Sequence, residues 1–271
     1  MRPLIWFCLL LPAQVLAWGN GQSGNAQTNQ ADECANPPYS THDFVADHAL
    51  FMLPEHERQW LEQRRTFYLL GTEAPDNDDI PVACGTPNTG YDDRHKGHSV
   101  EWSGDWTDFR QTNGVKKDRA ASRAQEEYNK AVEAYDAGEL DHAAYFLGAM
   151  AHYIGDVSQY GHAVPFEAVH GKYESWVGRR TKSRSDSVFN EYIQANPLVR
   201  RTAYTAVKRV SKLTAGGRGP VLHANKMDQA WVHHSDSNAE YIRSIGLSIN
   251  MGANELADVL HTFYLNVVEN H

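Results

Sequence analysis

Five residues between His152 and Glu174, in the run HYIGDVSQYGHAVPFEAVHGKYE, have the types and spacing for metal chemistry. His152 and Asp156 are four apart, and so are His170 and Glu174. On a helix that spacing stacks two side chains on one face, about 40° apart around the axis and roughly 6 Å along it. Imidazole and carboxylate held that way suit a borderline metal such as zinc. One such pair also occurs as an ordinary surface ion pair. Two pairs, with His162 beyond a turn expected at Gly155–Gly161, point to a metal site.

The elements that position these residues read as helices. Leu140 to Asp156 is apolar nearly all round, which makes it a central helix. Val115 to Ala137 reads as a charged, largely solvated helix ended by Gly138. Earlier in the chain, Ser40 or Thr41 supplies an N-cap, Pro54 breaks the first helix, and a second is expected over Glu55 to Tyr68. Gly71 to Asp93 reads as loop, and Asn196–Thr214, Lys226–Leu247 and Asn254–Val268 as three more helices parted by glycines. No strand alternation is sustained, so the expected fold is all-α, a single-domain helical bundle. His48, His56, His142, His223, His233, His234, His261 and His271 read as ordinary surface or core histidines.

The 271 residues carry a formal charge of −9, which argues against a nucleic-acid binder held by bulk electrostatics. No apolar run after the N-terminus is long enough to span a membrane. Met1-Arg2, the apolar Leu4–Leu16 and the small-residue signal Val15-Leu16-Ala17 read as a signal peptide over residues 1–17. Cleavage would make Trp18 the first mature residue, leave a catalytic domain over 18–271, and direct the chain to the extracellular or periplasmic space. Cys8 would leave with that peptide. Cys34 and Cys84 are then expected to pair, which would stabilise by roughly 4 kcal/mol through loop closure.

Three further candidates can reach the central stretch: His42 at a helix start, Asp76 in GTEAPDN, and His98 in KGHSVEW, with His95 its neighbouring competitor. With these in order, the chain resembles the zinc-dependent bacterial phospholipase C family, whose trinuclear helical fold is shared with S1/P1-type nucleases. The likeness is densest over Ala144–Val177 and weaker through Trp18, His42, Asp76 and His98.

The resemblance implies three Zn²⁺. One would take Asp76, His98, His152 and Asp156; a second, His162, His170 and Glu174; the third, His42, a bridging Asp156, and the amine and carbonyl of Trp18. It also implies Asp76 as general base, a phospholipid substrate at a membrane or micelle surface, and a monomer. Three Zn²⁺ outweigh the three carboxylates of Asp76, Asp156 and Glu174, so the site would stay cationic and suit a phosphodiester. No serine or cysteine nucleophile motif competes.

After Trp18, Gly19 to Gln22 offer no acid where the family's phospholipases place a glutamate against a cationic headgroup. Trp102, Trp106 and Tyr91 are equally candidates for pocket lining or packing. The alternatives are a single-strand nuclease or general phosphodiesterase on the same scaffold, and a zinc-binding protein without turnover.

Overall fold

The computed structural model describes residues 39–77, 97–164, 170–216 and 238–271, together with 34, 80, 84–87 and 226–227. Helix α1 (Thr41–Met52) starts at Ser40, whose hydroxyl accepts from the Asp43 N–H while the Asp43 carboxylate takes the Ser40 N–H at 2.8 Å. This reciprocal capping box satisfies two of the amide donors that a helix start leaves open. Pro54 separates α1 from α2 (Glu55–Glu62), as its missing N–H dictates.

The expected second helix is in fact two. It breaks at Gln63-Arg64, and α3 (Arg65–Glu73) then runs through Gly71, a position read from sequence as loop; a 3₁₀ turn, Ala74–Asp76, follows. The reason is a close crossing with α5 (Leu140–Ser158). A Cβ on Gly71 would fall 2.0 Å from the Tyr145 carbonyl oxygen, and one on Gly148 would fall 1.9 Å from that of Tyr68. Backbone meets backbone there, so the gain from close packing overrides the low helix propensity of glycine.

From Ala143 to Ser158 every residue of α5 is buried, which matches its apolar pattern. Around it pack α3, α4 (Arg119–Asp136), α7 (Ala203–Gly216), α8 (Ala239–Phe263) and α1. Helix α4 starts four residues later than its composition suggests. Val115–Lys116 (β2) instead pairs antiparallel with Gln111–Thr112 (β1). Asn113 (φ 52°) and Gly114 (φ 76°) make the turn, and that Asn-Gly dipeptide is the sequence signal for a hairpin. Gly138, at φ 78°, ends α4 as expected.

The C-terminal third departs most from expectation. Residues 196–202 are not helical; α7 begins only at Ala203. This stretch lies extended along α8 and gives its amide hydrogens to one column of side chains. Gln194 donates to Asn250 (2.9 Å), Asn196 to Asn254 (2.7 Å), Val199 to Asp258 (2.9 Å) and Arg201 to Thr262 (2.7 Å). The acceptors are spaced by four, so they share one helix face. Helix α8 itself runs unbroken through Gly246 and Gly252, where a helix end was expected, into a π turn at Tyr264–Val268. Both glycines are contact points: a Cβ on Gly246 would fall 2.2 Å from the Tyr192 ring, and one on Gly252 2.8 Å from Ser158 Cβ.

Cys34 and Cys84 form the expected disulfide, with Cα atoms 5.5 Å apart. Among the described residues no helix is long and apolar enough to cross a membrane. The signal segment, Trp18, Tyr91, His95, His223, His233 and His234 lie outside the described residues.

Candidate metal centre

Helix α5 delivers His152 and Asp156 one turn apart, both with fully buried side chains. The Nδ1 of His152 bonds the Thr72 carbonyl oxygen at 2.6 Å, so it carries the proton there. That fixes the tautomer and turns Nε2 toward Asp156 Oδ2 (3.2 Å) and Asp76 Oδ2 (3.8 Å). Thr72 is itself held, its hydroxyl donating to Asp43 Oδ1 at 2.7 Å. The glycine crossing of α3 and α5 is what places Thr72 and Asp76 against this turn of α5.

His98 enters from the segment preceding the hairpin, which is fastened by a bond from the Val100 N–H to the His162 carbonyl (2.8 Å). Its Nδ1 lies 2.8 Å from Asp156 Oδ2 and its Nε2 3.4 Å from Asp76 Oδ1. His42, in the first turn of α1, stacks on His152 with ring centroids 4.0 Å apart and 19° between planes. Its Nε2 is 3.5 Å from Asp156 Oδ1. Gly155 makes room for that ring, since a Cβ there would fall 2.8 Å from His42 Nδ1.

His162, on the 3₁₀ turn Tyr160–His162, lies 3.6 Å from Asp156 Oδ1 and 3.3 Å from Glu174 Oε1. Glu174 projects from α6 (His170–Gly178) and is buried. His170 opens that helix, and its side chain lies outside the described residues.

One carboxylate therefore stands among four imidazoles. Burial alone would raise the Asp156 pKa, but His152, His162 and His98 outweigh it and hold the carboxyl well below its ordinary value. Burial pulls His152 down, and Asp156 and Asp76 more than reverse this, pushing it up to about 9. His42 goes the other way: burial and then the neighbouring His152 hold it well below its usual range. A neutral imidazole keeps a lone pair to give.

These residues fit a metal. Both ring nitrogens of His42, and Asp156 Oδ1, are buried without a hydrogen bond, a condition that proteins rarely leave unanswered. Donors at 2.0–2.1 Å around a tetrahedral zinc stand about 3.4 Å from one another. Here His42–Asp156, His98–Asp76 and His162–Glu174 span 3.5, 3.4 and 3.3 Å. Two groups, His42–His152–Asp156 and Asp76–His98–His152, each bring their donor atoms within 4.8 Å of one another.

A profile of the zinc-dependent phospholipase C family matches residues 41–214, a span containing all seven of these side chains. The chain belongs to that family. Phospholipases C cut a phosphodiester bond, so the family is one of phosphodiester hydrolases. The same fold recurs in two solved structures, the alpha toxin of Clostridium absonum (TM-score 0.54, 20% identity over 83% of this chain) and that of Clostridium perfringens from an avian strain (TM-score 0.56, 18% identity over 85%). The chain spans 63% and 64% of their lengths. No curated protein matches it.

The remaining singled-out residues sit elsewhere. Trp102 packs on Phe109 (4.8 Å between rings) and donates to Ser211, so it joins the hairpin to α7; Trp106 lies 6.2 Å from the Trp102 ring. His261 bonds Glu57, His142 bonds Glu139 and His271 bonds Asp136, each away from the centre. The sequence reading passed over Thr72 and Asp43, and it took Gly155 for the start of a turn, whereas α5 runs through it to Ser158. Asp43 was legible as the acid three residues after the Ser40 N-cap, closing a capping box, and Gly155 as the one small residue between two ligand candidates.

Proposed function

We propose that the chain hydrolyses the glycerol-side phosphodiester bond of a glycerophospholipid, phosphatidylcholine or phosphatidylethanolamine. Water's hydroxyl goes to phosphorus and its proton to the glycerol oxygen, giving diacylglycerol and a phosphorylated headgroup. The observation that carries this reading is the convergence of His42, His98, His152 and His162 on Asp156, within 3.6 Å, in a chain of this family.

Three Zn²⁺ are proposed: one with Asp76, His98, His152 and Asp156, one with His162, His170 and Glu174, one with His42, Asp156 and the amine and carbonyl of Trp18. The last requires removal of residues 1–17 and export, because only a free α-amine keeps a lone pair. When bound, zinc supplies Lewis acidity toward phosphoryl oxygen and brings the pKa of water near 7.

The chain's own residues do the rest. Asp76, with 14% of its side chain exposed against none for Asp156, is the carboxylate that solvent reaches, and its Oδ is the atom proposed to take the proton of the attacking water. Thr72 and Asp43 hold the imidazole of His152 in one tautomer and one orientation. Helix α6 and the Tyr160–His162 turn keep water from Glu174 and His162, both nearly fully buried.

The test joins zinc analysis with assays on phosphatidylcholine, phosphatidylethanolamine and single-stranded DNA, each with and without chelator. Two to three zincs per chain and chelator-sensitive diacylglycerol release are expected. Fewer than two zincs, or activity indifferent to chelator, refutes the metal reading. DNA cleavage without lipid hydrolysis makes the chain a nuclease.

A further inference from the structure

The segment following α6 reads Arg179-Arg180-Thr181-Lys182-Ser183-Arg184-Ser185-Asp186-Ser187-Val188, four cations and one acid in a chain of net charge −9. It is held at three points. Thr181 is buried and its hydroxyl meets that of Thr41 at 2.8 Å, beside His42. The Arg180 guanidinium lies 3.8 Å over the Trp176 ring and donates to the Trp176 carbonyl at 3.0 Å. The Arg184 guanidinium lies 3.7 Å over the Phe51 ring of α1, while Asn190 bonds its carbonyl at 3.0 Å. With those positions fixed inward, Arg179 and Lys182 are turned out to solvent, and neither meets an acid among the described residues. Val188, half exposed, is one of only three large apolar side chains so exposed among the described residues.

A held row of cations ending in an exposed apolar side chain is chemistry for a surface that is anionic outside and apolar within. We infer that residues 179–188 form a contact for the surface of an anionic lipid bilayer, with Arg179 and Lys182 at the headgroups and Val188 at the acyl boundary. This rests on the proposed lipid substrate. A nucleic acid would use the cations but leave Val188 unused, and it would look for exposed aromatic faces; Trp176 and Phe51 here lie beneath guanidinium groups. The overall negative charge does not prevent docking. At physiological ionic strength charge is screened over about 8 Å, so the face turned to the membrane dominates. Arg179 lies five residues after Glu174, roughly 8 Å along the helix direction, so docking would bring the bilayer close to the metal centre.

The test uses the zinc-loaded chain and large vesicles of phosphatidylcholine alone or with 30% phosphatidylglycerol, with binding read by flotation. The parent is expected to partition onto the anionic vesicles and to leave them as salt is raised. The double variant Arg179→Ser/Lys182→Ser should bind them about 30-fold more weakly, the equivalent of about 1 kcal/mol for each basic side chain at the surface. Arg179→Lys/Lys182→Arg, which keeps the charge, should bind as the parent does, and Val188→Ser should weaken binding at high salt as well as low. Hydrolysis of a soluble short-chain diester should be the same in parent and variants, so loss of that activity in the parent would count against the proposed function and not against this surface. Equal vesicle binding by parent and double variant overturns the inference. So does charge-dependent binding to single-stranded DNA in a parent that ignores vesicles.

Discussion

Gly155→Ala separates two effects that ordinarily agree. Inside a helix, alanine in place of glycine stabilises by up to about 1 kcal/mol. At this position the new Cβ would stand 2.8 Å from His42 Nδ1 and 3.4 Å from Cε1. Restoring ordinary contact moves the imidazole by about 0.6 Å, three times the roughly 0.2 Å that metal–ligand distances tolerate. The ring has His152 stacked 4.0 Å away, which limits where it can go. Losing alignment of one ligand weakens metal binding by about 10–100-fold, or roughly 1.4–2.7 kcal/mol. By linkage, the rise in Tm on adding zinc should shrink by about 3–10 °C, while the metal-free chain stays within about 1 kcal/mol of the parent. Calorimetry of stripped and loaded protein, with zinc titrated against a competing chelator, reads both quantities. Unchanged zinc affinity and content in the variant would show that His42 is no ligand, and the three-metal reading would lose its third ion.

Gly148→Ala should be far more damaging, because its Cβ would fall 1.9 Å from a backbone oxygen that cannot rotate away. A cost at or above about 3 kcal/mol is expected, a fall of roughly 6–12 °C in Tm, and a variant as stable as the parent would refute the backbone crossing. Asn254→Ala removes the acceptor for the Asn196 N–H (2.7 Å) and the donor to the Gln194 carbonyl (2.9 Å). At about 1 kcal/mol for each bond it should lower stability by about 2 kcal/mol in urea titrations; an effect under about 0.5 kcal/mol would mean that the extended segment does not depend on α8. Asp108 is held well below the usual carboxylate range by Lys208, the Phe109 N–H and Lys116. With a depressed folded pKa, its contribution is present above the unfolded value of about 4 and is lost as pH falls through the folded one. The Tm gap between parent and Asp108→Asn should therefore be constant above about pH 5 and close on acidification; a gap that widens in acid reverses the sign.

The candidate metal ligands were the most legible part of the chain because metal chemistry restricts residue type and spacing together. His152 and Asp156 announce themselves by a four-residue interval; His42, Asp76 and His98 needed the order of a family to be picked out. What the sequence hid was backbone-level packing. Gly71, Gly246 and Gly252 read locally as interruptions, since propensity counts only the residue's own freedom. In the fold each is a helix position where a neighbouring backbone or side chain comes too close for a Cβ. Residues 196–202 read as helical because their partners, Asn250 through Thr262, are more than fifty residues away and invisible to a local pattern. The hairpin at Asn113-Gly114 was legible and was masked by the charge of the helix that follows.

The crossing of α3 and α5 through Gly71 and Gly148 bears on ion choice. Helices that meet through side chains can drift apart as rotamers change; these two meet through main-chain atoms, and their separation has no slack. Asp76 sits on the 3₁₀ turn that directly follows α3, and His152 and Asp156 on α5, so the backbone limits the span between these proposed donors. Calcium needs bonds of about 2.3–2.6 Å and six to eight oxygens, and a frame of this kind cannot open to give them. In the proposed site, two glycines without a polar side-chain atom between them would thus favour a small cation from outside its coordination sphere.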